Sequence, residues 1–510
     1  MAPADLLQFP YLAYALVPLL AYLVFWREQD SLSHIPTIGV PVAAGPLGKY
    51  IASVLSISKT REWLDEGARK YPSGVFKIRT LYGWIVVVSG TTQCNELAKA
   101  PDDVLSFQEA ATEAIEADYT LSGWRDAASR PEVHIGLIRG KLTRSLGSLF
   151  PAVYDEIRTA FEDVFKLPAE DETGWTPLVA RDALMRVICR TTNRVFVGLP
   201  LCRNEEFVDL NVRFTMDVAM SAFTIKLFPT FLKPLVGRYL TPMRRAYRDG
   251  ERLMRDFVEE RLRETASHEG KEWAEKPDDL LQWMIDLANE RELQPDFLIK
   301  QILRLNFSAI HTTLISIMHA FYHIAASPES YQTPLRKEVL HVISTYGWTK
   351  DAMDRLVKLD SILRESQRHF GLGALSMPRK ALKGFTFSAD GTHVDVPAGT
   401  TLAVSARAIH FDEGVYECAE EFRGFRFAQD DSDEGGARYV NASASYVPWG
   451  YGRHACPGRF WAANEMKAVL AYLLAHYDFR LEDQAVPKET WFGHNVVPHQ
   501  TAKVLFRRRA

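Results

Sequence analysis

Cysteine is scarce and unpatterned in this chain: five in 510 residues, Cys94, Cys189, Cys202, Cys418 and Cys456, with no CxxC pair. That excludes a disulfide framework and suits a reducing compartment, where most cysteines are small buried apolar residues. A strong charge of either sign is also missing. The formal net charge is −4, so no nucleic-acid surface is expected. The terminal Phe506-Arg507-Arg508-Arg509 run is short and reads as a solvated tail. No G-x-G-x-x-G opens a helix after a strand, so a nicotinamide or flavin domain is excluded. Gly371-Leu372-Gly373 and Gly450-Tyr451-Gly452 are too short to serve as one. HExxH and G-x-S-x-G are absent as well, which removes two rival catalytic centres. From about Lys49 onward there is no repeat, low-complexity linker or abrupt change of composition. One large domain is the simplest account.

Long uncharged runs are rare, and the one at the start is informative. Leu6 to Trp26 carries no charged side chain, about the length a helix needs to cross a ~30 Å hydrocarbon layer. Tyr11, Tyr14, Tyr22 and Trp26 are interface-type aromatics. A cleaved signal peptide would need a basic start and a small-residue cleavage site, and neither is present. The reading is an uncleaved membrane anchor over 1–26, a Pro/Gly-rich hinge over 27–48 that includes Gly45-Pro46, and a catalytic body over 49–510. An anchor of this kind implies an endoplasmic reticulum membrane protein, single-pass, with its catalytic domain facing the cytoplasm.

Helical periodicity covers Leu142–Phe165, Leu184–Val197, Met243–Ala266 and Asp279–Asn289. Short β-like runs appear at Val75–Ile78 with Ile85–Val88, and at Phe385–Phe387, Val394–Val396 and Thr401–Val404. Helices dominate, with a small sheet drawn from both ends of the chain. Between Pro295 and Pro328, Asp296 to Ser327 contains neither Gly nor Pro. As one helix it would span about 48 Å and must run through the interior.

The most informative window is Val447 to Phe460, V-P-W-G-Y-G-R-H-A-C-P-G-R-F. Two glycines allow a tight turn just before Cys456, and Pro457-Gly458 precede a helical pattern over Phe460–Tyr477. Basic Arg453 and His454 lie beside it. A cysteine on a loop feeding a helix N-terminus suits an anionic sulfur, acting as ligand or nucleophile.

This window resembles the haem-binding loop of the cytochrome P-450 family, F-x-x-G-x-R-x-C-x-G. Trp449 stands at the aromatic position, Gly452, Cys456 and Gly458 match, and His454 replaces the arginine. The W/F-G-x-G-R-H-A-C-P-G wording is similar to that of fungal members. Glu365-Ser366-Gln367-Arg368 fits the family's E-x-x-R, and Arg426 in Phe422–Phe427 stands where the third partner belongs. Glu260 and Arg263 have the same spacing and read as a solvated helix face. Ser308 to Thr313 aligns with A/G-G-x-D/E-T. That makes Thr312 the oxygen-side residue, with His311 replacing the acid. Protons would come either from His311 itself or from water with Thr312. Arg379 and Arg139 are the candidate partners of the haem propionates.

The resemblance implies the mainly α haem-thiolate fold with a small β region, preceded by one N-terminal transmembrane helix. It implies haem b ligated by Cys456 and NADPH supplied through a separate NADPH-cytochrome reductase, with cytochrome b5 as a second possible donor. The implied activity is monooxygenation of a hydrophobic small molecule. The wording is similar to that of ent-kaurene oxidase-like terpenoid oxidases, so a terpenoid or sterol-like substrate is expected. Its walls would come from segments 117–122, 214–229, 372–376 and 492–498. Two alternatives share Cys456: a haem-thiolate isomerase or dehydratase needing no reductase, and a non-catalytic membrane haem-binding protein.

Overall fold

The computed structural model describes residues 31–39, 45–121, 131–167, 174–391, 393–428 and 438–509. The expected anchor at 1–26 lies outside the described residues. Among the described residues no helix is long and apolar enough to cross a membrane.

The centre of the fold is the helix Pro295–Ala326, 32 residues long. Proline in its first turn costs no hydrogen bond, Asp296 faces the positive end of the helix dipole, and Pro328 prevents continuation. Ile299, Ile302, Leu303, Ile310, Ile317 and Phe321 are buried along it. It packs on the helices Ala180–Phe196, Glu205–Lys226, Met243–Ser267 and Val357–His369. Helix Arg459–His476 completes this core with Met466, Val469, Leu470 and Leu473. Two smaller apolar clusters lie around the sheet.

Six strands form that sheet, in the order Thr37–Ile38, Val75–Thr80, Gly83–Val88, Thr401–Ser405, Leu375–Ala381 and Leu105–Ser106. Strand Leu375–Ala381 slips register against Thr401–Ser405 between Ser376 and Arg379. Met377 there takes φ 53°. Such a bulge re-aims the side chains that follow it, and the first one affected is Arg379.

Two expectations are corrected. The described part of the 27–48 hinge is not free. Leu32 and Ile35 are buried, the Lys77 N–H donates to the Pro36 carbonyl (2.8 Å), and His34 Nε2 bonds the Asp395 carbonyl (2.7 Å). Gly45-Pro46 is the first turn of helix Gly45–Lys70, because proline is barred from helix interiors but not from their starts. Nor is the C-terminal run a solvated tail. Lys503–Arg508 is the middle strand between Tyr477–Arg480 and Thr176–Val179, with Phe506 fully buried. Arg507 and Arg509 turn outward to Asp478.

Three histidines are sealed in the helical core. His319 stacks on Phe370 at 4.4 Å, and His323 on Phe422 at 3.7 Å. The third, His410, is bonded between segments. Burial pushes each imidazole down to about 3. Their unfolded values near 6.5 are higher, so below that pH the unfolded chain binds protons the native state refuses. Buried Glu465 has the opposite sign: burial raises its carboxyl to about 8, so its contribution is lost as pH rises from the ordinary carboxylate range through 8. The melting temperature should therefore fall steadily from pH 6.5 toward 4, the histidines outnumbering the acid. Thermal melts across pH should show His323→Phe with a shallower acid limb and Glu465→Gln with a flatter limb between pH 6 and 8.

Candidate active site

Cys456 sits on a loop closed on itself by the backbone. Its N–H donates to the Trp449 carbonyl (2.7 Å) and Gly450 N–H to the Val447 carbonyl (3.0 Å). Gly450 and Gly452 take φ of 70° and 74°, where a side chain is strained; a Cβ on Gly452 would also press on Ala98 at 3.3 Å. Gly458 caps helix Arg459–His476. Burial pushes the Cys456 thiol up, and the N–H groups of Gly458 and Arg459 with the Arg459 guanidinium pull the other way. A sulfur so placed gains from becoming a metal-bound thiolate. Trp449 is anchored by its indole N–H on the Tyr439 carbonyl (2.8 Å), its ring 5.1 Å from that of Tyr439. At the base of the loop, Val447 N–H donates to His410 Nε2 (3.1 Å), and His410 Nδ1 bonds the Arg368 carbonyl (3.0 Å).

That histidine leads to the pair foreseen from E-x-x-R. Arg368 donates to both Glu365 oxygens (2.7 and 2.9 Å), and Arg426 Nε donates to Oε1 (3.0 Å). Arg423 N–H adds a further donor (2.9 Å). Both Glu365 and Arg368 side chains are fully buried. Burial alone would raise the Glu365 carboxyl, but the Arg368 and His369 hydrogen bonds bring it to about 2. Glu260 and Arg263, with the same spacing, are exposed. The structure thus brings Glu365, Arg368 and Arg426 together.

Beside the loop lies a second group. Arg379 is 2% exposed, faces the Phe107 ring at 5.7 Å, and donates to the Pro378 carbonyl (2.8 Å). Burial lowers its pKa to about 10 despite the charge of Asp102. His454 stacks on the same Phe107 at 5.5 Å and bonds Asp102 Oδ1 (2.6 Å). Burial still lowers its pKa, outweighing Asp102. One ring nitrogen of His454 is therefore taken by protein. Exposed Arg139 spends an N–H on the Arg453 carbonyl (3.1 Å), bracing the loop. Asp102 and Phe107 carry no motif and lie some 350 residues before His454; no local signal could have found them.

On the long helix Thr312 and His311 part company. Thr312 Oγ1 back-bonds to the carbonyls of Ser308 (2.8 Å) and Ala309 (3.2 Å), and the helix continues unbroken through it. His311, one residue and about 100° round the helix, bonds the Val212 carbonyl through Nε2 (2.9 Å), and burial lowers its pKa. One ring nitrogen of His311 is thus engaged by the backbone of helix Glu205–Lys226. The expected wall segments meet in pairs. Ala374 N–H donates to the His494 carbonyl (2.7 Å), and the short helix Ala117–Thr120 packs on helix Glu205–Lys226. Ser122 lies outside the described residues.

Two observations bear on the haem that the loop implies. Arg379 is a buried fork of five donors whose one hydrogen bond among the described residues goes to a carbonyl, so it can take a carboxylate such as a propionate. No group of three or more His, Cys, Asp or Glu able to hold a metal exists among the described residues. A single sulfur suits a metal that arrives with its own macrocyclic ligands. The residues fit the group.

The comparisons with known proteins agree. Residues 137–506 match the family described as Cytochrome P450. The chain is 40% identical over 503 residues to cytochrome P450 monooxygenase 103 of Postia placenta, covering 98% of each chain. It is 41% identical over 501 residues to cytochrome P450 monooxygenase 110 of the same fungus, covering 97% of each. To cytochrome P450 monooxygenase CYP512U6 of Ganoderma lucidum it is 32% identical over 515 residues, covering 100% of this chain and 98% of the relative.

Glu365→Gln would leave buried Arg368 and partly buried Arg426 without their counter-charge, at a cost of about 3–5 kcal/mol. Denaturant unfolding should show that loss together with poor pigment loading. Glu260→Gln, on the exposed pair, should leave both unchanged.

Proposed function

The chain belongs to the cytochrome P450 family of monooxygenases, and from that premise we propose that it oxidises a hydrophobic, terpenoid or sterol-like molecule at haem b held by Cys456. Electrons come from a separate NADPH-cytochrome reductase, with cytochrome b5 as a second donor. The observation that carries this reading is the Cys456 loop, whose sulfur faces N–H donors at a helix start, while nearby lies a buried arginine, Arg379, with no carboxylate partner among the described residues.

Each residue then has a task. Cys456 Sγ binds as thiolate, stabilised by the Gly458 and Arg459 N–H groups. Arg379 takes a propionate, Arg139 braces the loop through the Arg453 carbonyl, and His454 is set by Asp102 and Phe107. Trp449 and Gly452 shape the loop; Glu365, Arg368 and Arg426 hold the segments that carry it. Bound haem supplies reductive activation of dioxygen, which a thiolate ligand favours by pushing electron density onto iron. Thr312 Oγ1 keeps lone pairs free while its hydrogen is shared between two carbonyls, so it can accept a hydrogen bond from a water and hold that water as the proton donor. His311, engaged with Val212, orients its helix.

A membrane source for the substrate has support from the surface. Leu227, Phe231, Leu235, Tyr239 and Leu240 are all exposed between Leu227 and Leu240, with Phe231 73% accessible. Such a patch marks an interaction site. With the uncharged run 6–26, it favours a single-pass protein of the endoplasmic reticulum whose body lies on the cytoplasmic side.

Dithionite-reduced protein under carbon monoxide should show the band of a thiolate-ligated haem, and Cys456→Ser should abolish it. With reductase and NADPH, terpenoids should turn over; turnover of fatty acids or phenolics alone would sink the substrate class, and turnover without NADPH would favour an isomerase. Thr312→Ala should cut product per NADPH by about tenfold or more.

A further inference from the structure

The root of the cysteine loop is one residue held from both sides, and no motif marks the two side chains that hold it. Val447 is fully buried and lies in neither helix nor strand, so its peptide groups have no ladder to pair with. Its N–H donates to His410 Nε2 (3.1 Å), on a ring 37 positions back in the chain. Its carbonyl accepts twice, from the Ser376 hydroxyl (2.6 Å) and from Gly450 N–H (3.0 Å). The second bond closes a four-residue turn with Pro448 in second place, a position proline favours. Proline also confines the residue before it to extended backbone. Val447 can therefore turn about neither φ nor ψ without breaking a bond.

His410 suits this place because it has two ring nitrogens. A peptide N–H only donates and a carbonyl only accepts. Nε2, facing Val447, is thus bare, and Nδ1, facing the Arg368 carbonyl (3.0 Å), carries the hydrogen. One neutral tautomer satisfies both neighbours. The ring is fully enclosed and lies along that of Tyr446, with centroids 5.6 Å apart, so packing fixes its direction as well. Through His410 the loop is referred to helix Val357–His369, where Arg368 grips Glu365. Ser376 approaches from the sheet. It stands on strand Leu375–Ala381, three residues before Arg379. One hydroxyl thus joins the loop that carries Cys456 to the strand that carries the buried cation. Apolar side chains at 410 and 376 would fill the same volume, but the first would leave a buried N–H unpaired and the second would free the carbonyl from the strand.

We propose that His410 and Ser376 are positioning residues for the haem-thiolate centre, acting through the two peptide groups of Val447. His410 sets the Cys456 loop against the Glu365 cluster, and Ser376 sets it against Arg379. The inference rests on the roles proposed for Cys456 and Arg379. The clamp itself belongs to the polypeptide and is read without turnover.

The test uses the full-length, haem-loaded chain. His410→Phe keeps a ring and removes both nitrogens, whereas His410→Gln returns an amide oxygen that accepts from Val447. Ser376→Ala removes only a hydroxyl from a half-buried position. The amides to follow are Gly450 and Cys456, whose N–H groups close the loop on the Val447 and Trp449 carbonyls. Their hydrogen exchange should speed up about fivefold in His410→Phe and in Ser376→Ala, the effect of one lost hydrogen bond. In His410→Gln it should return to within about twofold of wild type. Ile409→Val, a buried apolar truncation beside His410, should lower the melting temperature and leave this exchange unchanged. Haem release to a scavenging protein should quicken about fivefold in Ser376→Ala, with the thiolate band under carbon monoxide retained because Cys456 is intact. Wild-type exchange in both the Phe and Ala variants, or a Gln variant no nearer wild type than Phe, would overturn the clamp. Should His410→Phe not fold, unchanged exchange in Ser376→Ala overturns it alone. If exchange responds as expected and the wild-type protein lacks a thiolate band, the clamp stands and the reading of Cys456 as haem ligand falls.

Discussion

A carboxylate with no access to water is the constraint on which this molecule is built. Glu365 can stay ionised only if enough donors converge on it. The two that carry charge bring separate stretches of chain with them. Arg368 also donates to the carbonyls of His410 and Ala419, and Arg426 to those of Glu417, Cys418 and Glu421. An irregular stretch from 410 to 426 is thereby wrapped round one helix. His410 extends the arrangement, with one ring nitrogen on the Arg368 carbonyl and the other accepting from Val447 at the root of the cysteine loop. Burying these charges is expensive, and a matched apolar set could be as stable. What the charges add is one arrangement of a segment with little regular structure of its own.

The site is assembled where two kinds of packing meet. The long helix and helix Arg459–His476 lie in the large apolar core and provide rigid mounts. The sheet has its own apolar clusters, and a bulge in strand Leu375–Ala381 turns Arg379 inward beside Phe107. The sulfur is thus carried by the helical part and the buried cation by the sheet. Polar groups bridge the helices to the loop, at His410 and again at Tyr439.

Much of the helical frame was legible along the chain because its signals are local. Helix Met243–Ser267 begins where the periodicity begins, and the long helix matches the stretch free of Gly and Pro to one residue at each end. Strands Phe385–Phe387 and Val394–Val396 were likewise readable from alternation. Strand Lys503–Arg508 was not: three arginines in succession read as solvated until pairing on both sides buries Phe506 and leaves the guanidinium groups at the edge. The E-x-x-R spacing is not unique in the chain, and burial is what separates Glu365 from exposed Glu260. His311 and Thr312 are neighbours in sequence, yet helical rotation sends one ring to Val212 and the other side chain to its own helix.

The chain's own residue order determined the family, the mainly helical class, and which cysteine stands in a glycine turn before a helix. Each of these depends on spacings within a few residues, where backbone geometry acts directly. Only the tertiary structure decided that His454 is engaged by Asp102, that Arg379 is buried beside Phe107, and that Tyr439 N–H is held by Asp360. Those are contacts between residues dozens to hundreds of positions apart, and which such groups meet is settled by the packing of the whole core.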